Sequence, residues 1–72
     1  MNIFINGKAH FVSEKKLLLA ELLLQFLQKN ELKEIRGVAV AVNGSLIRRS
    51  EWQTHIIFEQ DEIEILTATQ GG

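Results

Sequence analysis

Only one stretch of this 72-residue chain repeats its hydrophobic residues with a helical period. At about 100° per residue, Leu22, Phe26, Leu19, Leu23, Leu27, Ala20 and Leu24 fall on one continuous arc, and Gln28, Glu21, Gln25 and Lys29 fill the remainder. A lone helix with so wide an apolar face must be covered by something that is not another helix, which leaves a sheet. Its start is placed near Leu18, where no Ser, Thr, Asp or Asn stands as a cap.

The flanking segments read as strands. Met1 to Ile5 is apolar and β-inclined and is followed by Asn6-Gly7, a signal for a tight hairpin turn because both turn positions need positive φ. The returning strand runs from Lys8 to about Val12. V-A-V-A-V, residues 38–42, alternates large with small and meets a second such pair, Asn43-Gly44, before S-L-I. Ser50 and Gln53 fit a capping box around one helical turn that sets down Trp52. Ile56, Ile57 and Phe58 read as a short buried run. After a turn at Glu59-Gln60-Asp61, E-I-E-I-L-T places Ile63, Ile65 and Thr67 on one face and Glu62 and Glu64 in water.

Two strands, a helix and two or three further strands, with no proline and no linker, predict an α+β fold: a ubiquitin-like roll with one helix packed across a mixed four- to five-stranded sheet. Residues 1–72 form a single domain in this reading, with 68–72 as a flexible C-terminal tail.

Composition narrows the chemistry. The chain has no cysteine, so thiol nucleophiles, side-chain persulfides and Cys-ligated zinc or iron-sulfur sites are excluded. A formal net charge of -1 supplies no basic field for a nucleic-acid backbone. The leucine-rich segment from Leu17 to Leu27, interrupted by Glu21 and Gln25, is too short to cross a bilayer. The N-terminus lacks a secretory pattern, and the expected compartment is the cytoplasm.

Side chains that could carry a site have plainer readings. His10 and His55 lack a second ligand at metal-binding spacing and are taken as ordinary surface or turn histidines. Arg48-Arg49 could grip an anion but reads as a solvated turn. Glu59, Asp61, Glu62 and Glu64 could steer a basic partner; the plain reading is a water-facing strand edge that discourages sheet pairing. Leu24 and Ala20, at the margin of the helix face, either pack under the 31–36 segment, the expected reading, or contribute to an exposed apolar patch that a partner covers. Ser45 follows a hairpin turn instead of opening a helix, against a phosphopantetheine site. Lys8 lies in a chain with a strong helix, against a lipoyl or biotinyl site.

That leaves Gly71 and Gly72. A main-chain carboxylate flanked by glycines can enter a cleft that any Cβ would block, although fixing such a tail requires contacts made elsewhere. The carboxylate is ionised at neutral pH and is a poor electrophile, so it needs activation. Attack on the α-phosphate of ATP gives an acyl-adenylate, from which a sulfur donor displaces AMP to leave a thiocarboxylate. No G-x-x-x-x-G-K-[ST] loop is present, so ATP and Mg²⁺ would sit in a partner's active site.

V-A-V-A-V-N-G (38–44), R-S-E-W (49–52) and D-E-I-E-I-L-T-A-T-Q-G-G (61–72), with M-N-I-F-I-N-G at the start, closely resemble the thiamine-biosynthesis sulfur carrier (ThiS) family. The resemblance covers about half the chain firmly, and its most specific part is T-A-T-Q-G-G running out of an I-E-I strand. It implies a β-grasp fold and a sulfur-carrying co-substrate that is not itself an enzyme and binds no cofactor. Gly72 would be adenylated by an E1-like adenylyltransferase and converted to a thiocarboxylate. The sulfur would come from a donor enzyme such as a cysteine desulfurase and pass to thiazole synthase. Gly71, Gln70 and Thr69 would be recognised in the partner's channel. The sequence departs from the family at Arg48, where proline is frequent, at Gln60, where a Gly-Asp turn is usual, and at Leu18, which replaces a threonine cap. The small subunit of molybdopterin synthase and a non-catalytic ubiquitin-like binding module are the alternatives; the T-A-T-Q-G-G ending argues against the former.

Overall fold

The computed structural model describes residues 1–67 except 30 and 33. Seven strands and one helix follow in the order β1 (Asn2–Ile5), β2 (Lys8–Phe11), β3 (Leu17–Leu18), α1 (Leu19–Gln28), β4 (Val38–Val42), β5 (Ser45–Ile47), β6 (Ile56–Ile57) and β7 (Glu62–Thr67). Five of these strands form one mixed sheet in the order β2-β1-β7-β4-β5, while β3 and β6 pair separately. β7 runs parallel to β1 and antiparallel to β4, so the last strand among the described residues is the central strand of the sheet.

Both hairpins form where the Asn-Gly pairs predict them. Asn6 and Gly7 have φ of 50 and 84, and Asn43 and Gly44 have φ of 51 and 85. Positive φ at both turn positions matches the right-handed twist of the strands they join. Register then follows from alternation: Val38, Val40 and Val42 turn inward with Ile3, Ile5, Ile63 and Ile65, to be covered by Leu19, Leu22 and Leu23 of α1.

The beginning of α1 is specified from a distance. The Glu21 carboxylate accepts the Leu18 backbone N–H at 2.9 Å, the half of a capping box that needs no hydroxyl. The next two N–H groups, of Leu19 and Ala20, donate to the carbonyls of His55 and Trp52, both at 2.9 Å. Donors that a local cap would satisfy are thus satisfied by the segment leading into β6. At the other end, the Glu31 N–H reaches back to the Phe26 carbonyl at 2.9 Å, the 6→1 bond of a Schellman closure.

Several expectations are corrected. Ser50 does not cap a turn: the 3₁₀ turn spans Arg49–Glu51, with extended Arg48 before it and the Glu51 N–H returning to the Arg48 carbonyl at 2.8 Å. That turn does set down Trp52, which is 5% exposed and donates its indole N–H to the Ile47 carbonyl at 3.1 Å. Arg49 is more than a solvated turn residue, lying 5.1 Å over the Trp52 ring and donating to the Ile35 carbonyl at 3.1 Å. Phe58 is not in the core; its N–H bonds to the Asp61 carboxylate at 2.7 Å, the chain turns there, and the ring is 63% exposed. Thr67 and Leu24 are also exposed, while Ala20 packs against the core.

The largest revision concerns the acidic stretch. The sheet edges are β2 and β5, so Glu62 and Glu64, on central β7, guard no edge. Asp61 does not face water: it is 8% exposed, and its carboxylate accepts from Asn43 Nδ2 at 2.9 Å as well as from Phe58. A buried carboxylate persists because both oxygens are bonded.

Candidate functional site

Thr69, Gln70, Gly71 and Gly72 lie outside the described residues. What the structure describes is the platform from which they follow. Along β7, Ile63 and Ile65 point into the core, and Glu62, Glu64 and Leu66 point out on the opposite face. Register assigns the outer neighbours: Phe4 stands opposite Glu62, Ala41 opposite Glu64, Ala39 opposite Leu66, and Leu46 opposite Ala41. Leu66, Ala39, Ala41 and Leu46 therefore form an apolar strip over three strands, in which Leu46 is 72% and Leu66 60% exposed.

Beside the strip lies an open groove of about 720 Å³, bordered by Phe4, Asn6, Glu62, Glu64 and Leu66. Among the described residues neither glutamate has a salt-bridge partner; the ion pair there joins Arg36 to Glu34 at 3.6 Å. An apolar strip bounded by exposed carboxylates suits a partner surface that is apolar at its centre and basic at its rim.

The two turn asparagines tie β7 into the sheet. Asn43, beside the start of β7, donates its backbone N–H to the Glu62 carbonyl at 2.7 Å and accepts the Glu62 N–H on Oδ1 at 2.9 Å. Asn6 does the corresponding job further along. Its Oδ1 accepts the Ile65 N–H at 2.8 Å and its Nδ2 donates to the Ile65 carbonyl at 3.2 Å. At the turn into β7, Gln60 has φ 71, and the exposed Glu59 carboxylate accepts the Asn2 N–H at 3.0 Å. That hydrogen bond holds the Glu59 carboxyl below its ordinary pKa.

The remaining sequence candidates are not assembled into a centre. His10 lies against Phe26, ring centroids 5.9 Å apart, and His55 supplies a backbone carbonyl to the helix start. Among the described residues no three His, Asp or Glu stand together as a metal site, and no helix is long and apolar enough to cross a membrane. Sequence reasoning passed over the outer face. Its signal was available in Leu66, an apolar residue in the row occupied by Glu62 and Glu64.

One helix laid across a mixed five-stranded sheet, with the first and last strands as parallel central neighbours, defines a β-grasp domain of the ubiquitin-like class. The model of the ThiS family matches residues 3–72, and the chain belongs to that family. It is similar to the crystal structure of a thiamine biosynthesis protein (ThiS) from Geobacter metallireducens, with TM-score 0.80, 27% identity and all of both chains covered. A solution NMR structure of a thiamine biosynthesis protein from the same organism matches with TM-score 0.75 and 27% identity, over 100% of this chain and 88% of that one. No curated protein matches the sequence significantly.

Proposed function

We propose that this protein is a sulfur carrier in the formation of the thiazole moiety of thiamine, a co-substrate of partner enzymes and not a catalyst. The observation that carries the reading is a family match that extends through Gly72, the residue whose carboxylate would hold the sulfur. An E1-like adenylyltransferase binds ATP and Mg²⁺. The Gly72 carboxylate oxygen attacks the α-phosphate, forming the acyl-adenylate and releasing pyrophosphate. A sulfur donor enzyme then delivers sulfide-level sulfur to the acyl carbon, AMP departs, and the thiocarboxylate remains. Thiazole synthase passes the sulfur to its substrate, and an oxygen from that substrate or from water takes its place on the acyl carbon, which returns the carboxylate for another cycle.

The outer face supports this division of labour. Ordering a glycine tail in a partner's cleft costs on the order of 1 to 2 kcal/mol per residue, so docking energy must come from a preformed surface. The strip of Leu66, Ala39, Ala41 and Leu46 lies next to the end of β7 and offers such a surface. Gly71, Gln70 and Thr69 would pass through the partner's channel.

The test is the intact mass of the protein after incubation with ATP, Mg²⁺, the adenylyltransferase and a sulfur source. The expected product carries one sulfur in place of one oxygen, and deletion of Gly72 abolishes it. An unchanged mass for the full chain under conditions where the same adenylyltransferase modifies its own carrier would refute the proposal.

A further inference from the structure

The parallel ladder between β1 and β7 is short. It pairs Phe4 with Glu62 and Ile5 with Ile63, and the Asn6 N–H makes a final backbone bond to the Ile63 carbonyl at 2.9 Å. There β1 turns away into the Asn6-Gly7 hairpin, while β7 continues for four more residues, Glu64 to Thr67. The next polar groups of β7 on that side belong to Ile65, which is 8% exposed, and the departing backbone of β1 leaves them without a main-chain partner. The Asn6 side chain takes the vacated place. Its amide presents one acceptor and one donor, as a peptide unit does, and engages the Ile65 N–H at 2.8 Å and the Ile65 carbonyl at 3.2 Å.

We propose that Asn6 is a positioning residue for the chain end: its side-chain amide extends the β1 ladder to Ile65, so that the segment after Thr67 starts from a fixed base beside the outer face. Turn propensity alone does not require this. Glycine satisfies the positive φ at position 6 at least as well as asparagine, so Asn6→Gly separates the turn from the clamp. The role in partner docking rests on the carrier reading; the clamp does not.

Two readouts test it. In Asn6→Gly the Ile65 amide should exchange with solvent at least about tenfold faster, while core amides of β4 exchange as before. With the adenylyltransferase, KM for the carrier should rise roughly 5- to 30-fold, the equivalent of two ordinary hydrogen bonds. The value of kcat should hold within about twofold, because the docked carboxylate is unchanged. Asn6→Asp keeps the acceptor for the Ile65 N–H but sets an oxygen against the Ile65 carbonyl, and should fall between the two. A stability-matched control at a distance, Ile57→Val, should leave both Ile65 exchange and KM unaltered.

Unchanged Ile65 exchange in Asn6→Gly would overturn the clamp, and faster exchange with unchanged KM would overturn its positioning role. An equal rise in KM for Ile57→Val would reduce Asn6 to general stability and also overturn it. If the wild-type chain were never adenylated, the carrier reading would fall, and Ile65 exchange alone would uphold or overturn Asn6 as the holder of the chain end.

Discussion

The two faces of β7 are made by alternate residues of one six-residue strand, yet they answer to different demands. Ile63 and Ile65 look into the core at 1% and 8% exposure, whereas Leu66, next along the chain, keeps 60% of its surface in water. The inner residues share one buried cluster with residues of the flanking strands β1 and β4 and of the helix. The outer ones are arranged around space. Because the strand period is two, a substitution on one face leaves the side chains of the other in place, so stability and docking can be altered separately.

The largest effect belongs to the inner face. Ile63→Ala removes a fully enclosed side chain from the central strand and is expected to destabilise the fold by about 2 to 5 kcal/mol. That is a large share of the roughly 5 to 15 kcal/mol available to a typical domain, so the melting temperature should fall by about 10 °C or more. A melt shifted by only a degree or two would mean that the inner face is not the principal source of stability.

The outer face should behave in the opposite way. Leu66→Thr retains a strand-compatible side chain and removes most of the exposed apolar surface, so thermal stability should change by no more than about 0.5 kcal/mol. Docking should suffer more. Loss of a central apolar contact of about 1 to 2 kcal/mol predicts a roughly 5- to 30-fold rise in KM for the carrier in the adenylation assay, with kcat little altered. If KM stayed the same while the melt fell, the assignment of the two faces would be reversed.

Elements governed by local rules were legible in the residues alone. The two Asn-Gly turns, the inward valines of V-A-V-A-V and the outward glutamates of E-I-E-I stand where alternation and turn chemistry put them. Features settled by distant partners were not. The helix start is satisfied by carbonyls of His55 and Trp52, more than thirty positions away, and the β3–β6 pair joins two-residue segments too short to show a period. The acidic stretch misled for the same reason, since charge on a strand does not reveal whether its neighbours are water or other strands. Asp61 in particular is buried because Asn43 and the Phe58 N–H bind it, a relation that no spacing in the sequence expresses. For the platform beside the chain end, the useful clue was Leu66 in an otherwise charged row; the tail residues themselves were conspicuous only through their glycines.

The smallest expected effect sharpens the comparison from a position on neither face. Gln60, in the turn that feeds β7, has φ 71, a left-handed conformation that disfavours a side chain with a Cβ. Its backbone N–H bonds to the Asn2 carbonyl at 2.6 Å, an interaction glycine would keep, and its side chain reaches only the exposed Glu59 at 3.1 Å. Gln60→Gly therefore relieves strain in the folded state, while the greater freedom of glycine in the unfolded chain offsets part of the gain. The net expectation is stabilisation of up to about 1 kcal/mol, visible as a rise in melting temperature of up to roughly 4 to 8 °C. KM in the adenylation assay should not move, since neither Ile65 nor the outer strip is touched. A lower melting temperature would show that the turn gains more from its glutamine than it loses in backbone strain, and a shifted KM would extend the docking surface around the start of β7.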